Sequence, residues 1–260
     1  HLLRLKQRSQ NPENQHQPTI NARNTSHGHI HRNHRSRSPE YAASSEGSAN
    51  RTEYWPFTLR LASGAQDLAK VLEVRHSAYA RHLPEALTSS LREPEVLDGA
   101  EGVALLLAES KLDGAPMGTM RIQTNQVRPL ALEQSVQLPQ WMQGLPLAEA
   151  TRLGVSLDGT ARLVKVALFK AYYLYCLQAG IRYMVITARA PLDRMYERML
   201  FQDVYPHLGY MPLSHVFDLP HRVLYLDVQN VRQRWEEAQH AWCDFMFYTK
   251  HPDLQQQAIA

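Results

Sequence analysis

Ser156-Leu157-Asp158-Gly159-Thr160-Ala161 places a small-residue turn between an apolar run ending at Val155 and a helical pattern that starts near Arg162. At a helix start such a turn presents backbone N–H groups and the positive end of the helix dipole, the combination that holds a phosphate. Gly159, Thr160 and Ala161 are the candidate cradle residues. Without a ligand the same stretch is only a tight strand-to-helix connection, so its surroundings must distinguish the two. Those surroundings are rich in fixed charge: Arg75, Arg121 and Arg152 supply guanidinium forks, and Glu95 and Asp98 supply acids close together in sequence. Such forks grip a substrate carboxylate bidentately, or else order the two acids in an internal ion-pair network. Glu149, just upstream in Glu149-Ala150-Thr151-Arg152, can accept a proton if its pKa is raised towards neutrality. Its plainer role is that of a salt-bridge partner.

The elements that must position these groups can be read from periodicity. Trp55, Phe57, Leu59 and Leu61 alternate as in a half-buried strand. Ser63 then caps a helix in which Leu68, Val71, Leu72, Arg75 and Tyr79 recur at helical spacing, which sets Arg75 and Tyr79 one turn apart. Val103 to Ala108 and Met117 to Gln123 read as strands joined at Asp113-Gly114, a hairpin turn. A short helix is expected around Ala131 to Ser135, and a central strand over Ala148 to Ser156 leads into the Gly159 turn and a helix ending at Gly180. Within that strand Glu149 and Arg152 face opposite ways unless a bulge intervenes. Ile181 to Thr187 is a further strand and Pro191 opens a helix through about Leu200. Met211 to Phe217 and His221 to Val228 form a final strand pair. A last helix carries Val231, Trp235, Ala238, Trp242, Phe245 and Met246 on one stripe. The summed fold class is α+β: a mostly antiparallel central sheet flanked by helices, with a splayed strand-to-helix junction near residue 157.

Composition bounds the rest. Of 260 residues, positions 1–50 carry seven Lys/Arg against three Asp/Glu, leaving 21 against 22 in 51–260. The basicity belongs to the N-terminal stretch, and the neutral remainder offers no electrostatic footprint for nucleic acid. Residues 1–50, rich in His, Arg, Asn and Ser and nearly without aromatics, are expected to be a disordered tail ahead of one domain over 51–260. His27, His29, His31 and His34 sit in that tail and, lacking carboxylate neighbours, read as solvated rather than metal-binding. Cys176 and Cys243 fall in apolar helical patterns, which fits a reducing compartment. No apolar run of membrane-spanning length and no signal-peptide core occurs, so a cytoplasmic location is expected.

The element order and the motifs together resemble the GNAT acyltransferases, and within them the N-acyl amino acid synthases and the related acyl-homoserine lactone synthases. Arg75-x-x-x-Tyr79, Glu95-x-x-Asp98, Gly118-Thr119-Met120-Arg121 and Glu149-x-x-Arg152 follow in order, and the turn over 156–161 keeps the small positions of the GNAT phosphate loop while its leading basic or amide residue is replaced by Ser156. The resemblance covers roughly residues 55–226. It implies amide formation from an acyl thioester: Glu149 as the base for the amine, backbone N–H groups near Val155 facing the thioester carbonyl, and Tyr196 protonating the departing thiolate. Tyr205-Pro206-His207-Leu208-Gly209-Tyr210 also looks like the end of the tyrosine motif, so two alignments stay open. Arg75, Tyr79, Arg121 and Arg152 are the substrate-binding set, and Val155, Gly159, Thr160 and Ala161 the set for the donor's phosphopantetheine.

The implied activity moves a long acyl chain from an acyl carrier protein, with acyl-CoA as the other donor, to the amine of an amino acid, with no tightly bound cofactor and no metal. An acyl-homoserine lactone synthase shares the charged pattern, but Ile122-Gln123-Thr124 after Arg121 departs from that family's Leu-Pro-Thr-like sequence. A coenzyme-A-dependent acetyltransferase is the broader alternative, and an interaction module on a retired scaffold the non-enzymatic one. Lys165 and Lys170 could meet the carrier's phosphate or an acidic carrier helix, or form a solvated face. Trp141 with Leu138, Met142 and Leu145 could line an acyl pocket, or belong to the core.

Overall fold

The computed structural model describes residues 51–255, so the expected disorder of 1–50 and the histidines at 27, 29, 31 and 34 lie outside the described residues. In chain order the elements are β1 (Arg51–Thr52), β2 (Phe57–Leu61), α1 (Gly64–Ala80), α2 (Glu85–Thr88), β3 (Val103–Ser110), β4 (Pro116–Thr124), β5 (Leu147–Val155), α3 (Ala161–Gln178), β6 (Tyr183–Ala188), α4 (Asp193–Arg198), β7 (Gln202–Asp203), β8 (Met211–Leu213), β9 (Leu219–Asp227), α5 (Val231–Glu237) and β10 (Thr249–Lys250). An eight-stranded sheet runs β2-β3-β4-β5-β6-β9-β7, with β8 added against β9. Its pairs are antiparallel except β5 with β6, which run parallel.

Helices pack on both faces, and two glycines set how closely. A Cβ at Gly154 would stand 3.0 Å from the Ala78 Cβ of α1, while one at Gly118 on the other face would meet Val164 of α3 at 2.5 Å. The main core lies between sheet and α3, where Ile122, Ala148, Ala150, Leu168 and Tyr172 are buried. A second cluster on the α1 face joins Leu130, Leu132, Leu138, Met142, Leu147 and Leu213.

Three expectations need correction. Ser63 stands at the N-cap of α1, but its side chain makes no capping bond; Asp67 instead accepts the Ser63 N–H at 2.8 Å. The strand over Met211 to Phe217 stops at Leu213, because a 3-10 turn over Ser214–Val216 and left-handed Phe217 and Asp218 intervene. The single C-terminal helix is broken: α5 ends at Glu237, Gln239 takes φ 49°, and a π-helical turn over Asp244–Tyr248 follows. The apolar stripe survives only in part, with Val231, Trp235 and Met246 buried and Ala238 exposed.

Lys170 also departs from expectation. It is not a surface cation but 5% exposed, with Nζ donating to the carbonyls of Phe245 (2.8 Å) and Thr249 (2.7 Å) and to His251 Nδ1 (2.8 Å). Burial pushes its pKa down to about 8, and burial together with the Lys170 charge pushes His251 down to about 4, so the imidazole is a neutral acceptor. The three ammonium hydrogens are thereby matched to three acceptors, clasping the last described segment to α3. Lys170→Ala is expected to destabilise the protein by about 2–4 kcal/mol in chemical denaturation, because two carbonyls and an imidazole lose their partner. Proteolytic cleavage should then start near residue 250.

Candidate active site

The site begins with a fault in the sheet. Between the pairs Arg121↔Thr151 and Thr119↔Gly154, β4 contributes Met120 alone while β5 contributes both Arg152 and Leu153. This bulge puts Arg152 at φ 56°, a left-handed conformation that costs a non-glycine residue on the order of 1–3 kcal/mol. On the other edge, β5 pairs with β6 only from Leu147↔Tyr183 to Ala150↔Ile186, so its last five residues splay from β6. The expected splayed junction is therefore present.

A charged network secures the bulge. Arg152 is bidentate to Glu95, with Nε at 2.8 Å and Nη2 at 2.6 Å, and its guanidinium lies 5.0 Å from the ring centre of Phe217. Arg75 is bidentate to Asp98 at 2.8 and 2.9 Å, and Arg121 Nη1 reaches Glu95 at 2.9 Å and Asp98 at 3.1 Å. Arg121 Nε also donates to Thr151 at 3.1 Å. Burial raises the Glu95 pKa, but the hydrogen bond from Arg152 and the three positive charges outweigh it and hold the carboxyl low. Asp98 is held low in the same way, chiefly through Arg75. Burial works against the Arg152 charge, yet Glu95 and the nearby Tyr79 phenol raise its pKa above the usual value. The structure thus brings Arg75, Arg121 and Arg152 together on the protein's own acids, with Tyr79 beside Arg152. The internal network is the arrangement observed.

At the splay opens a cleft of 1090 Å³. Met120, Leu153, Gly154 and Val155 line it from the sheet, Asp158, Gly159 and Ala161 from the turn, and Phe169 and Tyr196 from the helices. Around it stand Arg81, Arg162, Lys165, Arg189 and Arg198, with Asp158 the acid among the lining residues. Val155, Gly159, Ala161 and Lys165 all line this cleft. A Cβ on Gly159 would meet nothing within 4 Å, so the space over the turn is open to a ligand. Thr160 is different: its N–H and hydroxyl both bond to Asp158 Oδ1, at 2.7 and 2.5 Å, and Ser156 Oγ reaches Asp158 Oδ2 at 2.9 Å. These bonds, led by that from Thr160, hold the Asp158 pKa low, so an anion already occupies part of the cradle.

The structure separates the two tyrosine alignments. Tyr196 lines the cleft, is 5% exposed and packs edge-on against Phe201. Burial pushes its pKa up, which keeps the proton on the phenol. Tyr205 instead donates to the Gln137 carbonyl at 2.7 Å and Tyr210 to Asp193 at 2.5 Å, and neither lines the cleft.

Glu149 is not brought to the cleft. Ala148 and Ala150 face α3, whereas Glu149 turns to the other face with no exposed surface, accepting the Leu132 N–H at 3.0 Å and lying 3.1 Å from His215 Nε2. A direct base role in the cleft is corrected on that ground: the pleat of β5 before the bulge points the carboxylate away. Leu138, Met142 and Leu145 likewise belong to the second core cluster, and Trp141 is 44% exposed against Tyr183 and Tyr225, so none forms an acyl pocket there. Sequence reading missed Arg81, which donates to the Val155 carbonyl at 2.6 Å, together with Arg189, Arg198 and His215. Only Arg81 carried a signal, lying just past Tyr79 at the end of α1.

Residues 70–214, more than half of the chain, match the family model described as N-acyl amino acid synthase FeeM. The chain belongs to this family. It is an acyltransferase with the GNAT fold, acting as an N-acyltransferase. The structure of FeeM, an N-acyl amino acid synthase from uncultured soil microbes, superposes with a TM-score of 0.55 at 17% identity, covering 73% of this chain and 97% of that one. A CoA-dependent acyl-homoserine lactone synthase, BjaI, gives 0.48 at 16% identity, covering 78% and 97%. A GNAT-family acetyltransferase from Desulfovibrio desulfuricans gives 0.47 at 17% identity, covering 66% and 99%. No curated protein matches by sequence. Among the described residues no helix is long and apolar enough to cross a membrane.

The network makes a direct prediction for this family member. Glu95 and Asp98 have folded pKa values below their ordinary ones, so their stabilisation is present above the ordinary carboxylate range and is lost as pH falls through the folded values. Asp98→Asn leaves Arg75, a fully buried cation, short of its partner, which costs about 3–5 kcal/mol. Denaturation curves across acid pH should show the lower stability and a shallower acid-side decline than in the unaltered protein.

Proposed function

We propose that this protein is an N-acyl amino acid synthase that takes a long acyl chain from a phosphopantetheine thioester, preferentially on an acyl carrier protein, and joins it to the amine of an amino acid. The observation that carries the reading is the cleft at the β5–β6 splay, with an apolar floor of Met120, Leu153, Val155 and Phe169 beneath a rim of five cations. An extended arm ending in an alkyl thioester suits such a floor, and an acidic carrier surface or the phosphates of coenzyme A suit such a rim. Because Asp158 already holds the Thr160 N–H, the phosphate turn is a weakened cradle, which favours a donor held across the broad rim over one gripped at the turn alone.

The amine nitrogen attacks the thioester carbonyl carbon and forms the C–N bond. Backbone N–H groups freed at the bulge, over Leu153 to Val155, face the developing oxyanion. The C–S bond then breaks, and the Tyr196 phenol passes its proton to the leaving sulfur. The amine proton passes through water in the open cleft and restores the Tyr196 phenol, and the rim cations favour the neutral amine over the ammonium before attack. In this reading Arg75, Arg121 and Arg152 keep the bulge open through Glu95 and Asp98, and the acceptor's carboxylate is met by the cations of the rim. Glu149 acts on the other face.

The test offers the purified protein long-chain acyl carrier protein or acyl-CoA with a mixture of amino acids, and identifies products by mass spectrometry. N-acyl amino acids formed faster from the carrier are expected. No amide from either donor, or homoserine lactones formed with S-adenosylmethionine, overturns the reading. Tyr196→Phe should lower kcat about 10²-fold with KM little changed, since the phenol acts on the departing group. Reversing the rim charge with Arg198→Glu should instead raise KM for the carrier and leave KM for a short pantetheine thioester unchanged.

A further inference from the structure

On the face of the sheet away from α3, Glu149 begins a chain of groups that the acyl-transfer cleft does not use. Its Oε1 and His215 Nε2 are both buried, neither has another hydrogen-bonding partner, and they face each other at 3.1 Å, angled short of a full hydrogen bond. His215 Nδ1 lies 3.2 Å from Ser135 Oγ. Ser135 ends the 3-10 turn Ala131–Gln134, and His215 sits in the 3-10 turn Ser214–Val216, so two short turns are pressed together over the β5 carboxylate. Ser135 Oγ also accepts the Ser214 N–H at 2.9 Å and lies 3.0 Å from Ser214 Oγ.

The proton positions follow from burial. A carboxylate with no exposed surface and a single backbone donor needs a second one, and the donor within reach is an N–H on His215 Nε2. That tautomer leaves the Nδ1 lone pair facing the Ser135 hydroxyl. Carboxylate, imidazole and serine then stand in the order that makes a hydroxyl nucleophilic, recognised by geometry and role rather than by sequence position. Ser135 also lines an open cavity of 620 Å³, with Val136 and Leu138 beside Asn125, Gln134 and Gln143. That cavity shares no lining residue with the cleft at the splay.

We propose that Ser135, His215 and Glu149 form a second reactive centre, an acyl-accepting serine that takes small activated esters or thioesters from the 620 Å³ cavity. Ser135 Oγ bonds to the carbonyl carbon as its proton moves to His215 Nδ1. The C–O or C–S bond of the leaving group breaks, and the imidazolium returns that proton to the alcohol or thiol. Water, deprotonated by the same imidazole, then cleaves the acyl-serine to a carboxylic acid and restores the hydroxyl. Glu149 is a positioning residue, fixing the imidazole tautomer. The mixed polar lining suits a short acyl group rather than the long chain proposed for the cleft.

The full chain treated with a fluorophosphonate, which phosphonylates activated serines, and followed by intact mass and peptide mapping tests this. One phosphonyl group on Ser135 is expected, lost in Ser135→Ala and slowed about 10²-fold or more in His215→Gln, and short aryl esters should be hydrolysed with the same dependence. Ser135→Ala should leave amide formation at the cleft unchanged, so loss of one activity is distinguishable from loss of the other. No labelling, labelling at a different residue, or labelling that His215→Gln does not slow overturns the proposal.

Discussion

A left-handed arginine in the middle of a β-strand is held open by one bidentate contact, Arg152 on Glu95. Without it the chain would gain by relaxing residue 152 into ordinary extended geometry, closing the bulge and letting β5 run on beside β6. Glu95 itself is fixed by a reciprocal arrangement in which its own N–H bonds to Asp98, and Asp98 is clamped by Arg75 from α1. Three guanidinium groups and two carboxylates, nearly all of them buried, therefore serve the backbone of one strand. Their charges are balanced within the network to a surplus of one positive charge, and the desolvation each has undergone makes the arrangement intolerant of losing any partner.

The splay beside this network decides the electrostatics of the cleft. Because β5 leaves β6, the ends of α1 and α3, the turn after β5 and the segment after β6 converge on one opening, and the arginines they carry converge with them. Arg81 caps the freed Val155 carbonyl while adding its charge to the rim, so one side chain both satisfies the splayed backbone and raises the local positive potential. Asp158 works in the opposite sense by taking the turn's own donor. The positive potential of the cleft thus comes from side-chain charge more than from the helix dipole.

The other face of the same sheet follows a different logic. There the pleat of β5 buries Glu149 beneath two short turns, and the cost of desolvating a carboxylate is offset by Leu132 N–H and by His215. One strand therefore presents a cleft-lining edge beyond its bulge and an acid-imidazole-serine chain before it. Lys170 ties the C-terminal segment to α3, a role that leaves Arg162 and Lys165 as the helix's contributions to the rim.

The spacing of apolar residues was enough to place α1, the β3–β4 hairpin, β5, the turn over 156–161 and α3, because these elements bury one face against a common core and so carry a clear period. The motif acids and arginines were legible as a set, since few roles suit three arginines together with two acids three residues apart. Which partner each would choose was not. Whether Arg152 grips a substrate or Glu95 depends on groups 57 residues apart meeting across a bulge, and pleat direction alone turned Glu149 away from the cleft. The break in the C-terminal helix, the burial of Lys170 and the meeting of His215 with Ser135 were likewise tertiary decisions. The last two rest on polar groups finding partners distant in sequence, and local periodicity, which records only how a segment faces its own core, holds no trace of those partners.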